Sequence, residues 1–438
     1  MKLEEIKKKK KILILGFGME GKDSLNFLAK NFPEKIFGVA DINEKVRREG
    51  ENLKVKNLRW HLGKDYLKSL KDYDLVVKSP GIPFFFKEIR EAQKEGKLTS
   101  QTEIFFDNFQ GKIIGVTGSK GKSTTTKLIY EILKTCQFKV KMGGNIKKPV
   151  LDCLRWGDKN SFFVYELSSH QLYNLKKSPH VAVLLDIFPE HLDYYKTFKE
   201  YLWAKANITR YQTKEDYLIF SKENRFCQKI AQKSLAKKIG VTKKLVSLKD
   251  WGIKKIPPLF RFYSLNLNCA LAVAKILAAK REKVKKAILN FKFLPHRLEF
   301  VGKFKSIEFY NDSASTNPEA TIFAIDCLER KLSTLILGGL SKRLEEKRLV
   351  EKILKSSVKN LILFPETGIS LFFKLFGKKK FRLFLTTKLK EAVEFAFEVT
   401  PKGKAVLFSP AAASFNLFQN FQERGDQFKK WVKFYGRK

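Results

Sequence analysis

The sequence predicts an α/β protein built from three domains. Three observations lead there. Short apolar runs of strand length recur along the chain, segments with helical spacing separate them, and two glycine-rich turns each follow a strand and open a helix. At 438 residues there is room for two or three domains with their own cores.

The first block, 1–110, begins with a basic run, Lys7 to Lys11, before Ile12–Leu15. The apolar part stops at Gly16, and Glu20, Lys22 and Asp23 follow, so a first strand is expected here rather than a leader segment. Ile36–Ala40 and Leu75–Lys78 read as further strands with helical patterns between them, the rhythm of a parallel sheet. Gly16-Phe17-Gly18-Met19-Glu20-Gly21 matches G-x-G-x-x-G directly after the first strand. Asp41 ends the second, where a ribose-binding acid stands in a Rossmann-like domain. A simple glycine turn would also produce this short pattern.

The second block, 111–297, opens with the most specific signal of the chain. Lys112-Ile113-Ile114 reads as a buried strand, and Thr117-Gly118-Ser119-Lys120-Gly121-Lys122-Ser123-Thr124 follows it. Leu128/Ile132 and Ile129/Leu133 then repeat at helical spacing. Such a loop converges backbone N–H groups and a helix N-terminus on phosphate oxygens. Lys122 reaches outer phosphates, and the Ser123 or Thr124 hydroxyl ligates Mg²⁺. Val116 stands where the usual first glycine would be, so the loop is a tighter T-G-x-x-G-K-S-T. A central ATPase-type α/β domain binding a nucleoside triphosphate is expected.

Strands are expected at Phe162–Leu167 and Val181–Leu185. Glu166 then emerges at a C-terminal strand edge beside the phosphate loop, a place from which a carboxylate holds Mg²⁺. His191, after Pro189, belongs to the same edge. From spacing alone Lys205 reads as an exposed lysine of an amphipathic helix. Residues 222–262 are lysine-rich and poorly patterned, so loops with short elements are expected, followed by a buried helix at Leu267–Ala279. Leu294-Pro295-His296-Arg297 reads as a linker. The third block, 298–438, is α/β again, with strands at Thr334–Leu337, Asn360–Phe364 and Ala405–Phe408.

Charge is the unusual feature of the composition: 87 Lys and Arg against 45 Asp and Glu give +42. The lysines are spread through every segment and Phe is also abundant at 39, a pattern of general compositional bias rather than of one nucleic-acid-binding stripe. Five dispersed cysteines without C-x-x-C read as reduced thiols of a cytosolic protein. No run approaches the ~18–20 apolar residues of a membrane span, so a soluble, cytoplasmic protein is expected.

Taken together the motifs resemble the Mur ligase family, which uses ATP to join amino acids to the peptidoglycan precursor. The resemblance covers essentially the whole chain. It rests on G-F-G-M-E-G-K and S-P-G-I-P (79–83), on T-G-S-K-G-K-S-T, G-G-N-I (143–146), E-L-S-S-H-Q-L (166–172) and P-E-H-L-D (189–193). In the third block it rests on P-H-R-L-E (295–299), N-D-S-A-S-T-N-P (311–318), G-G-L-S-K (338–342) and S-P-A-A-A-S-F-N-L-F-Q-N-F-Q-E-R-G (409–425). The last motif and E-L-S-S-x-Q-L are similar to the branch that adds D-glutamate.

The resemblance implies a Rossmann-like first domain holding UDP-N-acetylmuramoyl-L-alanine through Gly18, Asp41, Ser79 and Gly81, with Asn145 and Gln171 on its sugar-phosphate or lactyl side. It implies ATP on Gly118, Ser119, Lys120, Gly121, Lys122, Ser123 and Thr124, with Asn268 at the adenine and Arg297 and Asp312 completing the site. One Mg²⁺ would sit on Ser123 and Glu166, and a second on His191 and a carbamylated Lys205. Thr316, Lys342, Ser414 and Phe421 would recognise D-glutamate in a Rossmann-like third domain. The implied reaction runs through an acyl phosphate, with closure of the third domain assembling the site in a monomer.

Several positions depart from the family pattern. Ala314 stands where a lysine is usual, Lys120 for an Asn, His170 for a Phe, and Ser264-Leu265 for His-Asn. Two alternatives stay open: another ligase of the superfamily, such as a folylpolyglutamate type, and a basic nucleotide-dependent nucleic-acid-binding protein.

Overall fold

Ile12–Leu15 and Leu75–Val77 are buried on both faces of a sheet, which is why they read as unbroken apolar runs instead of alternating ones. The computed structural model describes every residue except 51–52, 54, 147–149, 192–193, 246–247, 254–255, 262, 342–343, 379–380, 416 and 438. Its described residues form two compact units, Met1–Phe291 and Lys292–Lys438.

The first unit carries two parallel sheets. One contains β1 (Lys11–Leu15), β2 (Ile36–Asp41), β3 (Leu58–Leu62), β4 (Leu75–Lys78) and β5 (Leu98–Thr99), in the order β3-β2-β1-β4-β5. Strand order reverses between β1 and β4, and the crevice at such a switch point is where open α/β sheets bind ligands. The other contains β6 (Lys112–Thr117), β7 (Val140–Gly144), β8 (Phe162–Glu166), β9 (Val181–Leu184), β10 (Tyr217–Ser221) and β11 (Lys237–Val241), in the order β11-β10-β9-β6-β8-β7. The phosphate loop leaves the centre of this second sheet.

Aromatic side chains join the two layers. Phe105, from the helix Gln101–Asn108, packs 4.5 Å from Phe163 and 5.4 Å from Tyr165 of β8, within one buried cluster that extends from Ile6 to Ala236. Such ring pairs contribute roughly 0.5–1.5 kcal/mol each beyond area burial.

The second unit has one six-stranded sheet: β12 (Glu299–Phe304), β13 (Ile307–Asn311), β14 (Leu332–Gly339), β15 (Asn360–Glu366), β16 (Arg382–Leu385) and β17 (Ala405–Phe408). The order is β12-β13-β17-β14-β15-β16, with β12 antiparallel to β13 and the rest parallel. The fold class read from the sequence, α/β with a Rossmann-like first domain, a phosphate-loop central domain and a Rossmann-like third domain, is the one observed.

Most strands missing from the sequence reading lie at sheet edges, while β10 and β13 are interior strands that it also missed. β11 carries Lys237 and Lys238 on an exposed edge, inside the lysine-rich segment expected to hold only short elements. β12 and β13 form a hairpin whose turn residues, Lys305 (φ 48°) and Ser306 (φ 65°), are both left-handed without a glycine to announce it. The helix expected at Leu267–Ala279 runs Ser264–Ile276. All five cysteines are free thiols, with Cys227 and Cys269 buried.

Candidate active site

The phosphate loop owes its shape to two glycines. Gly118 (φ 154°) would place a Cβ 2.6 Å from Leu185 Cβ, and Gly121 (φ 84°) caps the helix Lys122–Thr135 in the left-handed region. Asn266 supports the turn, its Nδ2 donating to the Gly121 carbonyl at 3.0 Å and to Thr125 Oγ1 at 2.7 Å. Ser119 is committed inward: its N–H donates to the Asp186 carbonyl at 2.9 Å, and its Oγ lies 2.9 Å from Tyr201 OH. Lys122 curls over the loop and donates to the carbonyls of Gly118 (2.8 Å) and Ser119 (3.0 Å).

Lys205 is where spacing alone misleads. The residue is 1% exposed, not a surface lysine, because its face of the helix Phe198–Arg210 packs beneath the loop. Its Nζ donates to the same Gly118 carbonyl at 2.9 Å and lies 4.8 Å over the Tyr201 ring. Burial, and then the charge of Lys122, hold the Lys205 ammonium well below the usual lysine range. An amine so placed favours its neutral, nucleophilic form, the form that captures CO₂ as a carbamate.

Glu166 ends β8 in register with Val116 of β6. Its Oε1 accepts from Asn145 Nδ2 at 2.9 Å, while its Oε2 is buried without a hydrogen-bond partner. A buried carboxylate oxygen left unpaired fits a cation ligand, since otherwise its desolvation is uncompensated. His191 holds a left-handed φ of 57°, and its ring centroid is 6.4 Å from that of Tyr201. The two residues expected to share a cation, His191 and Lys205, thus flank one tyrosine. Among the described residues no three His, Cys, Asp or Glu side chains converge as a metal site.

At the switch point of the first sheet, Asp41 turns inward. It accepts from the Phe17 N–H (2.7 Å) and the Asn43 N–H (2.8 Å), so its carboxylate shapes the glycine loop. Ser79 Oγ donates to the Gly16 carbonyl at 2.8 Å. Gly18 and Gly81 face open space where an added Cβ would meet nothing within 4 Å, which leaves room for a ligand against the backbone, whereas a Cβ on Gly21 would lie 2.0 Å from the Gly16 carbonyl oxygen. Gln171 accepts from the Ser168 N–H and donates to Glu20 Oε1, both at 2.8 Å. Burial raises Glu20 to about 7 and lowers Lys78, at the end of β4, to about 7. Neither residue was given a role from the sequence: Glu20 stands at a variable position of G-x-G-x-x-G, and Lys78 directly precedes S-P-G-I-P.

Asn268 holds the chain after β11. Its Nδ2 donates to the carbonyls of Thr242 (2.8 Å) and Lys244 (2.7 Å), and its Oδ1 is buried without a partner. In the second unit Asp312 accepts from the Leu298 N–H (3.0 Å), from Ser409 Oγ (2.8 Å) and from Ser315 Oγ, and burial raises it to about 6. Arg297 adds a favourable charge to it. Thr316 lies half-buried in the same loop, Ser414 is buried, and the Phe421 carbonyl accepts from Ser313 Oγ at 2.8 Å. Lys342 lies outside the described residues, as do Leu192 and Asp193 of the P-E-H-L-D motif. Arg424, unremarked within Q-E-R-G, is 2% exposed and ties Ser313 to the carbonyls of Ala412 and Ala413, joining the loops that carry Asp312 and Ser414.

Two family profiles match this chain: the Mur ligase middle domain over residues 116–256 and the Mur ligase MurD-like N-terminal domain over residues 10–99. The UDP-N-acetylmuramoylalanine–D-glutamate ligase of Acetivibrio thermocellus is 33% identical, with 98% of each chain covered. The enzyme of the same name from Clostridium acetobutylicum is also 33% identical, over 97% of this chain and 96% of its own. The chain belongs to the Mur ligase family. It is thereby one of the ATP-dependent, amide-bond-forming ligases. Solved Mur ligases share the fold at lower identity. The MurF ligase of Thermotoga maritima, in complex with ADP, matches with a TM-score of 0.59 at 16% identity, covering 97% of this chain and 95% of its own. MurC of the same organism matches at 0.57 and 16%, over 98% and 100%. This Mur ligase has no helix, among the described residues, long and apolar enough to cross a membrane.

Proposed function

We propose that this Mur ligase adds D-glutamate to UDP-N-acetylmuramoyl-L-alanine in cytoplasmic peptidoglycan precursor synthesis, acting as a monomer. The observation that carries the reading is identity of 33% over 98% of both chains to a ligase named for that substrate pair. The buried Lys205 under the phosphate loop supports it. Residues 1–110 bind the uridine substrate, 111–297 bind ATP and 298–438 bind the amino acid.

In the first step an oxygen of the L-alanyl carboxylate attacks the γ-phosphorus of ATP. The bond from that phosphorus to the β–γ bridging oxygen breaks, ADP leaves and an acyl phosphate forms. Two anions must meet, so Lys122 turns from the loop carbonyls to the phosphates, and the N–H groups of the loop other than that of Ser119 take the oxygens. In the second step the D-glutamate amine attacks the acyl carbon. A tetrahedral intermediate forms, the amine gives up a proton, and phosphate leaves with the electron pair of the acyl C–O bond.

The residues present fit two Mg²⁺ ions. Ser123 and Glu166 would hold one, and His191 with carbamylated Lys205 the other, where the ions would neutralise phosphate charge. Lys205 becomes a ligand by attacking CO₂ and losing a proton, which turns a buried amine into a carbamate. Gly18 and Gly81 leave the backbone open to the uridine nucleotide, with Asp41 and Ser79 fixing the loops on either side. Asn145 orients Glu166, and Gln171 faces the same substrate. Asn268 offers its Oδ1 to the adenine amino group, while Arg297 and Asp312 complete the ATP site. Thr316, Lys342, Ser414 and Phe421 take the amino acid.

The test is phosphate release from ATP with UDP-N-acetylmuramoyl-L-alanine and a panel of amino acids containing both glutamate enantiomers. Release that needs the nucleotide sugar and D-glutamate together is expected. Release with a different amino acid would keep the ligase and move its specificity, and release with none would overturn the assignment.

A further inference from the structure

His170 occupies a slot built for an aromatic ring. It is the second residue of the short helix Ser169–Leu172, which a capping box fixes in place: Gln171 N–H donates to Ser168 Oγ at 3.2 Å, and Ser168 N–H to Gln171 Oε1 at 2.8 Å. The His170 ring stands edge-on to Tyr194 at 4.2 Å and nearly parallel to Tyr195 at 5.5 Å. Tyr194 is itself held, its hydroxyl placed 3.1 Å from the carbonyls of Pro80 and Ile82. A phenylalanine would fill that slot at no polar desolvation. An imidazole brings two ring nitrogens instead, and its neighbour 4.9 Å away at 73° is the ring of His191.

Two imidazoles on one ion, each with a metal–nitrogen bond of about 2.1 Å, place their ring centroids roughly 5 Å apart when the nitrogen–metal–nitrogen angle is near 100°. The observed separation lies at that value. We propose that His170 supplies a second imidazole to the divalent-cation site of His191 and Lys205, so that the site takes Mn²⁺ more tightly than one imidazole allows. Nitrogen donors shift selectivity in this direction, because Mg²⁺ favours oxygen ligands whereas affinities of later divalent ions rise with imidazole content. The left-handed His191 backbone and the short capped helix that carries His170 hold the two rings 4.9 Å apart at 73°.

The inference rests on the reading of His191 and Lys205 as a cation site. Its test is Mn²⁺ binding to the intact protein with added bicarbonate, followed by electron paramagnetic resonance titration and by spin-echo modulation that counts coordinating imidazole nitrogens. Wild type, His170→Phe, His170→Asn and His191→Ala are compared, with thermal melts to verify folding. Two coordinating imidazoles are expected in wild type and one in His170→Phe and His170→Asn. Mn²⁺ affinity should fall at least tenfold in those variants, with the Mg²⁺ concentration that displaces Mn²⁺ tracking that loss. One imidazole in wild type, unchanged Mn²⁺ affinity in both His170 variants, or no Mn²⁺ binding at all would overturn the proposal. None of these readouts needs turnover, so a wild type that binds Mn²⁺ through two imidazoles yet releases no phosphate with D-glutamate would sink the proposed reaction and leave this inference standing.

Discussion

Lys205 and Lys122 donate to one carbonyl oxygen, that of Gly118, and they differ in what surrounds them. Lys122 is half-buried at the helix N-terminus, while Lys205 is enclosed, and enclosure depresses its ammonium. Lys122→Ala is expected to lower kcat by roughly 10²–10³-fold with an unchanged melting temperature, the loss typical of one preorganised charge donor. Lys205→Ala should be inactive and partly rescued by short carboxylates, measured as phosphate release. The wild type adds a pH dependence: protonation of Lys205 opposes carbamylation, so activity at low bicarbonate should fall as pH is lowered and recover with bicarbonate. Asp312 has the opposite sign of shift, from 3.8 to about 6 through burial. The native state then binds the extra proton between those values, so its stability falls as pH rises through that window, by about 3 kcal/mol in all. Asp312→Asn should flatten this fall in urea titrations at pH 4 and pH 7. The phosphate-loop lysine was legible from Gly121-Lys122-Ser123, whereas the burial of Lys205 was not, since a helical lysine carries no local sign of which face is covered.

At the scale of elements, most buried parallel strands announce themselves, β10 and β13 excepted, and the edge strands do not. β14 is buried along its whole length and its apolar core, Leu335–Leu337, lies within a run read from the sequence. β12 mixes exposed and half-buried residues, β13 alternates buried and half-buried ones, and they are joined by Lys305-Ser306, a turn whose left-handed residues give no residue-type signal. Replacing Lys305-Ser306 by Asn-Gly should relieve that backbone preference and raise stability by about 0.5–1 kcal/mol, read as a higher melting temperature at unchanged kcat. The phosphate-loop helix is the converse case. Its start was legible because Gly121 at φ 84° is required there, and glycine is the residue that sequence alone marks for such a conformation. Besides Glu20 and Lys78, the site residues that went unnoticed reach across elements, Asn266 to Gly121 and Arg424 to Ala412 and Ala413.

For the whole molecule, +42 is a property of the full surface rather than of one groove, because its lysines are spread through both units. ATP and a nucleotide sugar are anionic, and a cationic surface raises their encounter rate until salt screens it. kcat/KM for both is therefore expected to fall several-fold between 50 and 300 mM KCl while kcat changes little, as steady-state kinetics would record; a flat profile would show that the charge does not steer substrates. The sequence by itself determined the α/β class, the two glycine loops and the family, because apolar runs, obligatory glycines and charged loop residues are local features with fixed spacing. Only the tertiary structure decided that Lys205 is buried under the loop, that Glu166 keeps one oxygen unpaired, and that His170 faces His191. Each of those depends on which residues from distant segments are brought together, and desolvation and ring contact exist only once they are.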